Sequence, residues 1–334
     1  MSEVAGEELL RVEGLGKTFE IAEGLFRKPL KLHALQDISF ELRRGETLGI
    51  VGESGCGKST LGRCILQLLR PDDGRVLWLG RDLVTVQGED MRRLRRDLQI
   101  IFQDPLASLN PRMTVGEIVG EPLRALQPDL RAAERRERVM TMMEGVGLQP
   151  EMVDRYPHEF SGGQAQRIGI ARALVTGPKL LVCDEPVSAL DVSIQAQILN
   201  LLSEIRERLG LTLIFISHNL SVVRHVSDRI MVLYLGRIVE MADGDDFYDA
   251  PKHPYSRALL TAVPIADPKK ARQRSIDVLS GEIPSPINPP SGCAFRTRCR
   301  HAVDLCAEKR PLLEGVAPRH TVACHRWREI EGRA

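Results

Sequence analysis

The sequence predicts an α/β fold with a mixed β core, an antiparallel β subdomain, a helical subdomain and a small cysteine-containing C-terminal extension. Residues 8–50 alternate apolar and polar side chains, which is typical of an antiparallel sheet. Residues from about 104 to 176 are mostly helical in pattern, and residues 180–240 alternate strands with helices, which indicates a covered parallel sheet. We expect a main domain over residues 8–250 and an extension over residues 251–334.

Each predicted element follows from a local pattern. Short apolar runs predict strands, whereas amphipathic runs or runs rich in Ala, Glu, Arg and Met predict helices. The predicted strands are 9–12, 32–35, 38–42, 47–51, 98–102, 180–184, 211–217, 230–234 and 237–240. The predicted helices are 61–69, 89–98, 131–148 and 193–209, together with one that begins at residue 161 and ends before 177–178.

The most informative segment is residues 52–60, GESGCGKST, which fits the phosphate-loop pattern G-x-x-x-x-G-K-[ST]. A predicted strand precedes it and a predicted helix follows it, and that context is what the pattern requires. Its glycines let backbone N–H groups curl around phosphate oxygens, and the helix N-terminus adds partial positive charge. We expect Lys58 to bind the β- and γ-phosphates and the Ser59 hydroxyl to ligate Mg²⁺.

Two further motifs supply acidic and anion-binding groups. Asp184 and Glu185 stand at the end of a predicted buried strand. There Asp184 can hold Mg²⁺ through water, and Glu185 can polarise the water that attacks a γ-phosphate. Ser161, followed by two glycines and Gln164, begins a predicted helix. A turn of this kind offers free N–H groups and a hydroxyl, so it is a second candidate anion site.

The composition argues against several classes of protein. A net charge of +1 argues against a strongly electrostatic nucleic-acid binder, and 43% hydrophobic residues support a sizeable core. No apolar run approaches the roughly 18 residues of a membrane-spanning helix. Residues 1–14 are acidic and do not resemble a signal peptide, so we expect a cytosolic protein that reaches a membrane through a partner. Seven cysteines, an odd number, do not suggest a disulfide framework.

Taken in order, these motifs resemble the ATP-binding cassette (ABC) family of ATPases over residues 8 to about 250. The motifs that carry the resemblance are 52–60, Gln103, 161–164, 184–185, 188–191 and His218. The resemblance implies a P-loop ABC ATPase fold that uses ATP and Mg²⁺. It also implies that two such domains face each other head to tail, so that the phosphate loop of one and residues 161–164 of the other enclose ATP.

The resemblance also implies individual roles. Phe19 would stack on adenine, although a core phenylalanine is the competing interpretation. Gln103 would sense Mg²⁺ and the attacking water, and His218 would contact the γ-phosphate, although a structural histidine is the alternative. The implied catalytic residues are Glu185, His218 and Gln103, and the implied Mg²⁺ ligands are Ser59, Gln103 and Asp184. The implied nucleotide-binding residues are Phe19, Gly52, Glu53, Ser54, Gly55, Cys56, Gly57, Lys58, Ser59, Thr60, Gln103, Ser161, Gly162, Gly163, Gln164, Asp184 and Asp191.

Longer strings look like the dipeptide/oligopeptide importer ATPases, in particular the F-type ATPase subunits of dipeptide permeases. These strings are 103–112, 155–158, 185–193, 253–260 and 281–286. The resemblance implies a subunit that couples ATP hydrolysis to conformational change in two integral-membrane permease subunits, at the cytoplasmic face of the inner membrane. A paralogous second ATPase subunit and an extracytoplasmic peptide-binding protein would complete the assembly, without nucleic acid. The alternatives are an importer of nickel or another small solute, a soluble ABC ATPase acting on nucleic acid or ribosomes, and a metal-cluster sensor.

Residues 251–290 are Pro-rich and lead into a tail with four cysteines spaced C-x5-C-x6-C-x17-C: Cys293, Cys299, Cys306 and Cys324. Four thiolates suit a [4Fe–4S] cluster or Zn²⁺, and the surrounding basic residues are expected to favour the thiolate form. Similar tails in the importer subfamily imply a [4Fe–4S] cluster, whereas Zn²⁺ and metal-free reduced thiols remain open alternatives. The other cysteines, Cys56, Cys64 and Cys183, are expected to be buried small hydrophobes.

Overall fold

The computed structural model describes residues 6–22, 29–262 and 281–331. Twelve strands lie in these ranges. They are β1 (Glu8–Ile21), β2 (Leu30–Arg43), β3 (Thr47–Val51), β4 (Asp73–Trp78), β5 (Arg81–Asp82), β6 (Leu98–Ile101), β7 (Leu180–Asp184), β8 (Thr212–Ile216), β9 (Arg229–Tyr234), β10 (Arg237–Asp243), β11 (Glu314–Ala317) and β12 (His320–Val322).

The same ranges contain eleven α-helices. They are α1 (Lys58–Ile65), α2 (Gly88–Leu94), α3 (Val115–Leu126), α4 (Ala132–Gly145), α5 (Gly162–Leu174), α6 (Val192–Leu209), α7 (Leu220–Val226), α8 (Gly244–Asp249), α9 (Pro254–Thr261), α10 (Asp304–Glu308) and α11 (Trp327–Glu331). None of the helices in the described part of the chain combines the length and the apolar character that a membrane crossing requires.

The first of two units in the chain comprises Leu42–Thr47 and Trp78–Ile216, together with the N-terminal residues up to Leu9. Its strands β6, β7 and β8 are parallel in the order β8-β7-β6, and the register places Asp184 opposite Ile216. Every residue of β7 and β8 is buried, which explains why these strands are continuous apolar runs in the sequence. Helices α3, α4 and α5 pack on one another to form the predicted helical region.

The second unit comprises Leu10–Glu41, Leu48–Leu77 and the residues from Ser217 onward. Its strands follow the order β11-β12-β10-β9-β3. Strands β3 and β9 are parallel, whereas β9, β10, β12 and β11 pair antiparallel, so this part of the sheet is mixed as predicted. Three further strands of this unit are neighbours in the order β2-β1-β4.

Within the second unit, a buried carboxylate holds the C-terminal strand β12 against β10. Glu240 of β10 has no exposed surface, and its oxygens accept hydrogen bonds from the backbone N–H groups of Lys252 (2.6 Å) and His253 (2.9 Å). The Nε2 atom of His320 on β12 lies 2.8 Å from the same carboxylate. Because a buried charge is costly unless it is hydrogen-bonded, this arrangement fixes β12 against β10.

Several predicted elements differ from those observed. The predicted strands 32–35 and 38–42 form one strand, β2, and the predicted strand 9–12 extends to fourteen residues as β1. The predicted helix 61–69 begins three residues earlier, at Lys58, and ends at Ile65. Two residues beyond this end, Gln67 takes a positive φ of 53°. Strands β4, β5, β11 and β12 were not predicted. The expected burial of Cys56, Cys64 and Cys183 is confirmed. Part of the Pro-rich segment, residues 263–280, lies outside the described residues.

Candidate functional site

The phosphate-loop segment adopts a curled backbone that only glycine tolerates at two positions. Gly52 and Gly57 have φ values of 152° and 104°. A Cβ atom on Gly52 would lie 2.3 Å from the carbonyl oxygen of Leu233, and one on Gly57 would lie 2.4 Å from that of Ala34. Both distances are shorter than van der Waals contact, and positive φ angles disfavour other residues. The two pattern glycines are therefore required by the geometry of the loop.

Lys58 is the first residue of α1, and its side chain turns back into the loop. Its Nζ atom donates hydrogen bonds to the carbonyl oxygens of Gly52 (2.8 Å) and Glu53 (3.0 Å), and the residue is only 5% exposed. A cation is thus held inside the curl at a helix N-terminus, which is where a phosphate anion is favoured. Ser59 and Thr60, on the first turn of α1, are half-buried. The donor set fits a nucleotide phosphate with Mg²⁺.

Burial also affects the loop cysteine. Cys56 is buried, and its Sγ atom lies 3.8 Å from Nζ of Lys58. Burial raises the pKa of the Cys56 thiol, although the nearby ammonium partly opposes the shift. Cys56 therefore packs as an apolar thiol in the loop, in agreement with the prediction for this residue.

In the first unit, the structure brings Gln103 and Glu185 together. Asp184 ends β7 with 1% exposure, and Glu185 follows it with a positive φ of 49°. The backbone N–H of Glu185 donates to the carbonyl oxygen of Ile216 (3.0 Å), which holds the residue in this unusual conformation. The Nε2 atom of Gln103 donates to Oε2 of Glu185 at 3.1 Å. The carboxylate is consequently oriented by an amide that could also contact a water.

Residues 161–164 form a capping box at the start of α5. The Ser161 hydroxyl accepts a hydrogen bond from the N–H of Gln164 (3.3 Å), and the Gln164 side chain accepts one from the N–H of Ser161 (3.0 Å). A Cβ atom on Gly163 would lie 2.7 Å from Cγ2 of Ile194 on α6, so this glycine allows close helix packing. The turn is thus preformed and exposed at Ser161.

Asp191 has a structural role that the sequence did not reveal. Its carboxylate caps α6 by accepting hydrogen bonds from the N–H groups of Ser193 (3.1 Å) and Ile194 (3.0 Å) and from the Ser193 hydroxyl (2.6 Å). These bonds, led by that from the Ser193 hydroxyl, lower the pKa of Asp191. The contribution of Asp191 to nucleotide binding remains a prediction.

Phe19 and His218 are the residues predicted to contact adenine and the γ-phosphate. Phe19 is half-buried near the end of β1, and the Lys17 ammonium lies 5.6 Å from the centre of its ring. His218 is exposed and is the second residue after β8. Asn219 caps α7 through its side-chain oxygen, which accepts hydrogen bonds from the N–H groups of Ser221 and Val222. Asparagine is among the residues preferred at this position.

The four C-terminal cysteines lie around one small cavity of about 20 Å³. All four are free thiols. Burial raises the pKa of Cys293 to about 11 and that of Cys324 to about 12, and it also raises the pKa of Cys299. The expectation that basic neighbours favour the thiolates is therefore wrong for these three residues, because removal from water has the largest effect on each pKa and raises it.

No group of three or more His, Cys, Asp or Glu residues in the described ranges is arranged to hold a metal ion. The four thiols nevertheless share a cavity about large enough for one small ion or water. Four sulfur donors are also the set that Fe–S clusters and structural Zn²⁺ prefer. The four sulfur atoms are therefore suitable donors for such a centre. Their positions, however, are not those of metal ligands.

A contact that the sequence did not indicate joins the phosphate loop to the cysteine-containing tail. The Arg298 guanidinium forms two hydrogen bonds with the Glu53 carboxylate, at 2.6 and 2.9 Å. These residues are 245 positions apart, and no local pattern relates them.

Comparisons with known proteins agree with the site. A family model described as ABC transporter matches residues 35–188, and one described as oligopeptide/dipeptide transporter, C-terminal region, matches residues 239–306. The oligopeptide transport ATP-binding protein OppF of Haemophilus influenzae is 56% identical over 321 residues, which cover 95% of this chain and 97% of that protein.

The chain belongs to the ABC transporter family. A second relative of this ABC protein, the OppF protein of Escherichia coli, is 56% identical over 319 residues, which cover 95% of each chain.

Solved structures support the same assignment. The ABC protein matches the dimeric post-hydrolysis ATP-binding cassette MJ0796 bound to ADP and Pi, with a TM-score of 0.63 and 29% identity, over 70% of this chain and 98% of the cassette. It matches CbiO1 from Clostridium perfringens, part of an ABC transporter complex, with a TM-score of 0.62 and 31% identity, over 73% and 92% of the two chains. The predicted fold class, a P-loop ABC ATPase with a mixed sheet and an antiparallel β subdomain, is confirmed.

Proposed function

We propose that this ABC protein is the ATP-binding and ATP-hydrolysing subunit of a multi-subunit importer of oligopeptides or dipeptides. The observation that carries the proposal is 56% identity along almost the full length of oligopeptide transport ATP-binding proteins, including the C-terminal region specific to peptide transporters. The curled phosphate loop with its buried lysine supports the ATP-binding part of the proposal. The domain division into residues 8–250 and 251–334 is part of the same proposal.

We further propose roles for the residues of the site. The loop N–H groups and Lys58 bind the phosphates, while Ser59, Gln103 and Asp184 are the residues that would hold Mg²⁺. When bound, Mg²⁺ neutralises negative charge on the phosphate oxygens. Glu185, oriented by Gln103, accepts a proton from the attacking water, and His218 donates a hydrogen bond to the γ-phosphate. Phe19 stacks on adenine, and residues 161–164 with Asp191 contact the nucleotide of a second cassette.

The proposed partners follow from the importer role. They are a paralogous second ATPase subunit, two integral-membrane permease subunits and an extracytoplasmic peptide-binding protein. In this arrangement the chain lies at the cytoplasmic face of the inner membrane and is attached through the permease subunits. ATP binding would draw the two ATPase subunits together and hydrolysis would release them, because ATP binds the closed state more tightly.

Reconstitution of the purified assembly in proteoliposomes tests the peptide cargo. We expect a peptide-loaded binding protein to stimulate ATP hydrolysis, since cargo binding must favour the closed ATPase pair if the two are coupled. The measurement is phosphate release with di- or oligopeptides and, as the comparison, with Ni²⁺. Stimulation by Ni²⁺ alone would replace peptide with metal as the cargo, and copurified ribosomes or DNA would contradict the importer role altogether.

We also propose that the four C-terminal cysteines bind a metal centre, with [4Fe–4S] the first candidate and Zn²⁺ the alternative. The grouping of the four thiols around one cavity and the absence of disulfides among them support a metal centre. The cavity of about 20 Å³ admits a single ion, so a [4Fe–4S] cluster would require the thiols to move apart. Their raised pKa values mean that metal binding must release protons, so affinity should rise with pH. The centre would have a structural role, because it would stabilise a segment that has only a small hydrophobic core of its own.

Metal analysis after anaerobic purification decides between these possibilities. We expect iron and labile sulfide in about equal amounts, or else one zinc, and we expect Cys306→Ser to lose it because four ligands are needed. Cys64→Ala, which changes a buried thiol of α1 outside the cavity, is the matched control and should keep the metal. A metal-free protein whose thermal unfolding matches that of Cys306→Ser would refute the metal centre.

A further inference from the structure

Arg298 is a buried cation that reaches from the cysteine-containing tail into the phosphate loop. Its side chain is 5% exposed, and that of its partner Glu53 is 23% exposed. Both terminal nitrogens of the guanidinium donate to the Glu53 carboxylate, one to each oxygen, at 2.6 and 2.9 Å. A bidentate pair of this kind fixes orientation as well as distance, and lysine cannot reproduce it.

A cluster of aromatic rings connects the two segments that form this ion pair. The N–H of Glu53 donates to the Tyr255 hydroxyl at 2.9 Å, and Tyr255 is fully buried on α9. Phe295, three residues before Arg298, packs with its ring centre 5.4 Å from that of Tyr255 and 5.3 Å from that of Tyr234. The side chain and the backbone N–H of Glu53 are therefore both held by residues outside the loop.

Glu53 passes this constraint to the lysine of the loop. Its carbonyl oxygen accepts a hydrogen bond from Nζ of Lys58 at 3.0 Å. A continuous series of contacts thus runs from Arg298 through Glu53 to the ammonium proposed to bind phosphate. Glu53 is also a negative charge within a loop built for anions, and without a paired cation it would repel a triphosphate.

We propose that Arg298 is a positioning residue for ATP binding, which neutralises the Glu53 carboxylate and fixes the phosphate loop. The inference rests on the proposed ATP binding and adds to it. It makes the cysteine-containing tail a determinant of nucleotide affinity, since Cys293 and Cys299 flank the segment that carries Phe295 and Arg298.

The test is a pair of variants in the full-length chain, with ATP affinity measured by titration calorimetry and KM and kcat measured in the assembled transporter. We expect Arg298→Ala to weaken ATP binding about tenfold, because the Glu53 carboxylate of the phosphate loop then lacks its paired cation and repels the phosphates. The KM for ATP should rise by a similar factor while kcat changes less. The double variant Arg298→Ala with Glu53→Gln should recover most of the affinity, because the repelling charge is gone.

The recovery separates this role from simple loss of packing, which a second substitution would not repair. Arg300→Ala, an exposed arginine of the same tail, is the control and should bind ATP as the unaltered protein does. If Arg298→Ala does not fold, Arg298→Lys retains one charge and should show an intermediate affinity. Unchanged affinity in Arg298→Ala, or no recovery in the double variant, overturns the inference. Failure of the unaltered protein to bind ATP would instead overturn the proposed function.

Discussion

Replacement of Glu185 by glutamine is expected to leave ATP bound and to slow hydrolysis by a factor of about 10² to 10⁴, which is the usual contribution of a general base. The reason is geometric. Glu185 follows a buried parallel strand, its backbone N–H is held by Ile216, and its carboxylate is oriented by Gln103. Glutamine has the same shape and can keep these contacts, but it does not take a proton from water.

Single-turnover phosphate release and nucleotide binding should be measured together on the Glu185→Gln variant. Glu204→Gln is the matched control, since it makes the same change on an exposed face of α6 in the same unit and should hydrolyse ATP normally. Thermal unfolding should be unchanged in both variants. Hydrolysis at the full rate by Glu185→Gln in the assembled transporter would remove Glu185 from its proposed role.

Replacement of Lys58 by alanine is expected to weaken ATP binding roughly 100-fold, because a charge-assisted hydrogen bond to phosphate contributes about 1.5–3 kcal/mol. Lys58 is buried, so its loss also removes the side-chain donor of the Gly52 carbonyl oxygen and leaves that of Glu53 with only the Cys56 N–H at 3.3 Å. The loop should consequently lose its curl as well as its charge. Equilibrium binding of ATP, with thermal unfolding to show that the chain is folded, is the measurement.

Two companion variants sharpen this test. Lys58→Arg keeps the charge but places a larger planar group in a site that is 5% exposed, so affinity should stay low. Lys179→Ala removes an exposed lysine that pairs with Asp97 and should bind ATP normally. Normal affinity in Lys58→Ala would contradict the assignment of the phosphate loop.

The sequence was sufficient to predict the secondary structure and the site residues wherever a local pattern determines the structure. The strand, glycine-rich loop and helix around Lys58 were predictable because the motif and the buried apolar run before it leave few alternatives. Strands β7 and β8 were predictable for the same reason, as both are buried along their whole length. Comparison with family members then supplied the function, which composition and periodicity could not.

The errors arose where distant parts of the chain decide the outcome. The sequence predicted this strand only over residues 9–12, but pairing with its neighbours carries β1 through to Ile21. Basic residues near the cysteines suggested thiolates, but burial is set by the tertiary fold and dominates the pKa of Cys324. The Arg298–Glu53 pair joins residues that no sequence window contains together, so only the structure could identify it.

The match to the family model of the transporter C-terminal region ends at residue 306, but the β-sheet continues beyond that residue. Strand β12 continues it by pairing Glu240 with Val322 and Met241 with Thr321. A protein cut at the family-model limit would expose the unpaired edge of β10, with Ile238 and Val239 beside open backbone donors and acceptors. Such an edge invites strand exchange between copies and aggregation, so we expect the residues after position 306 to protect the protein against self-association.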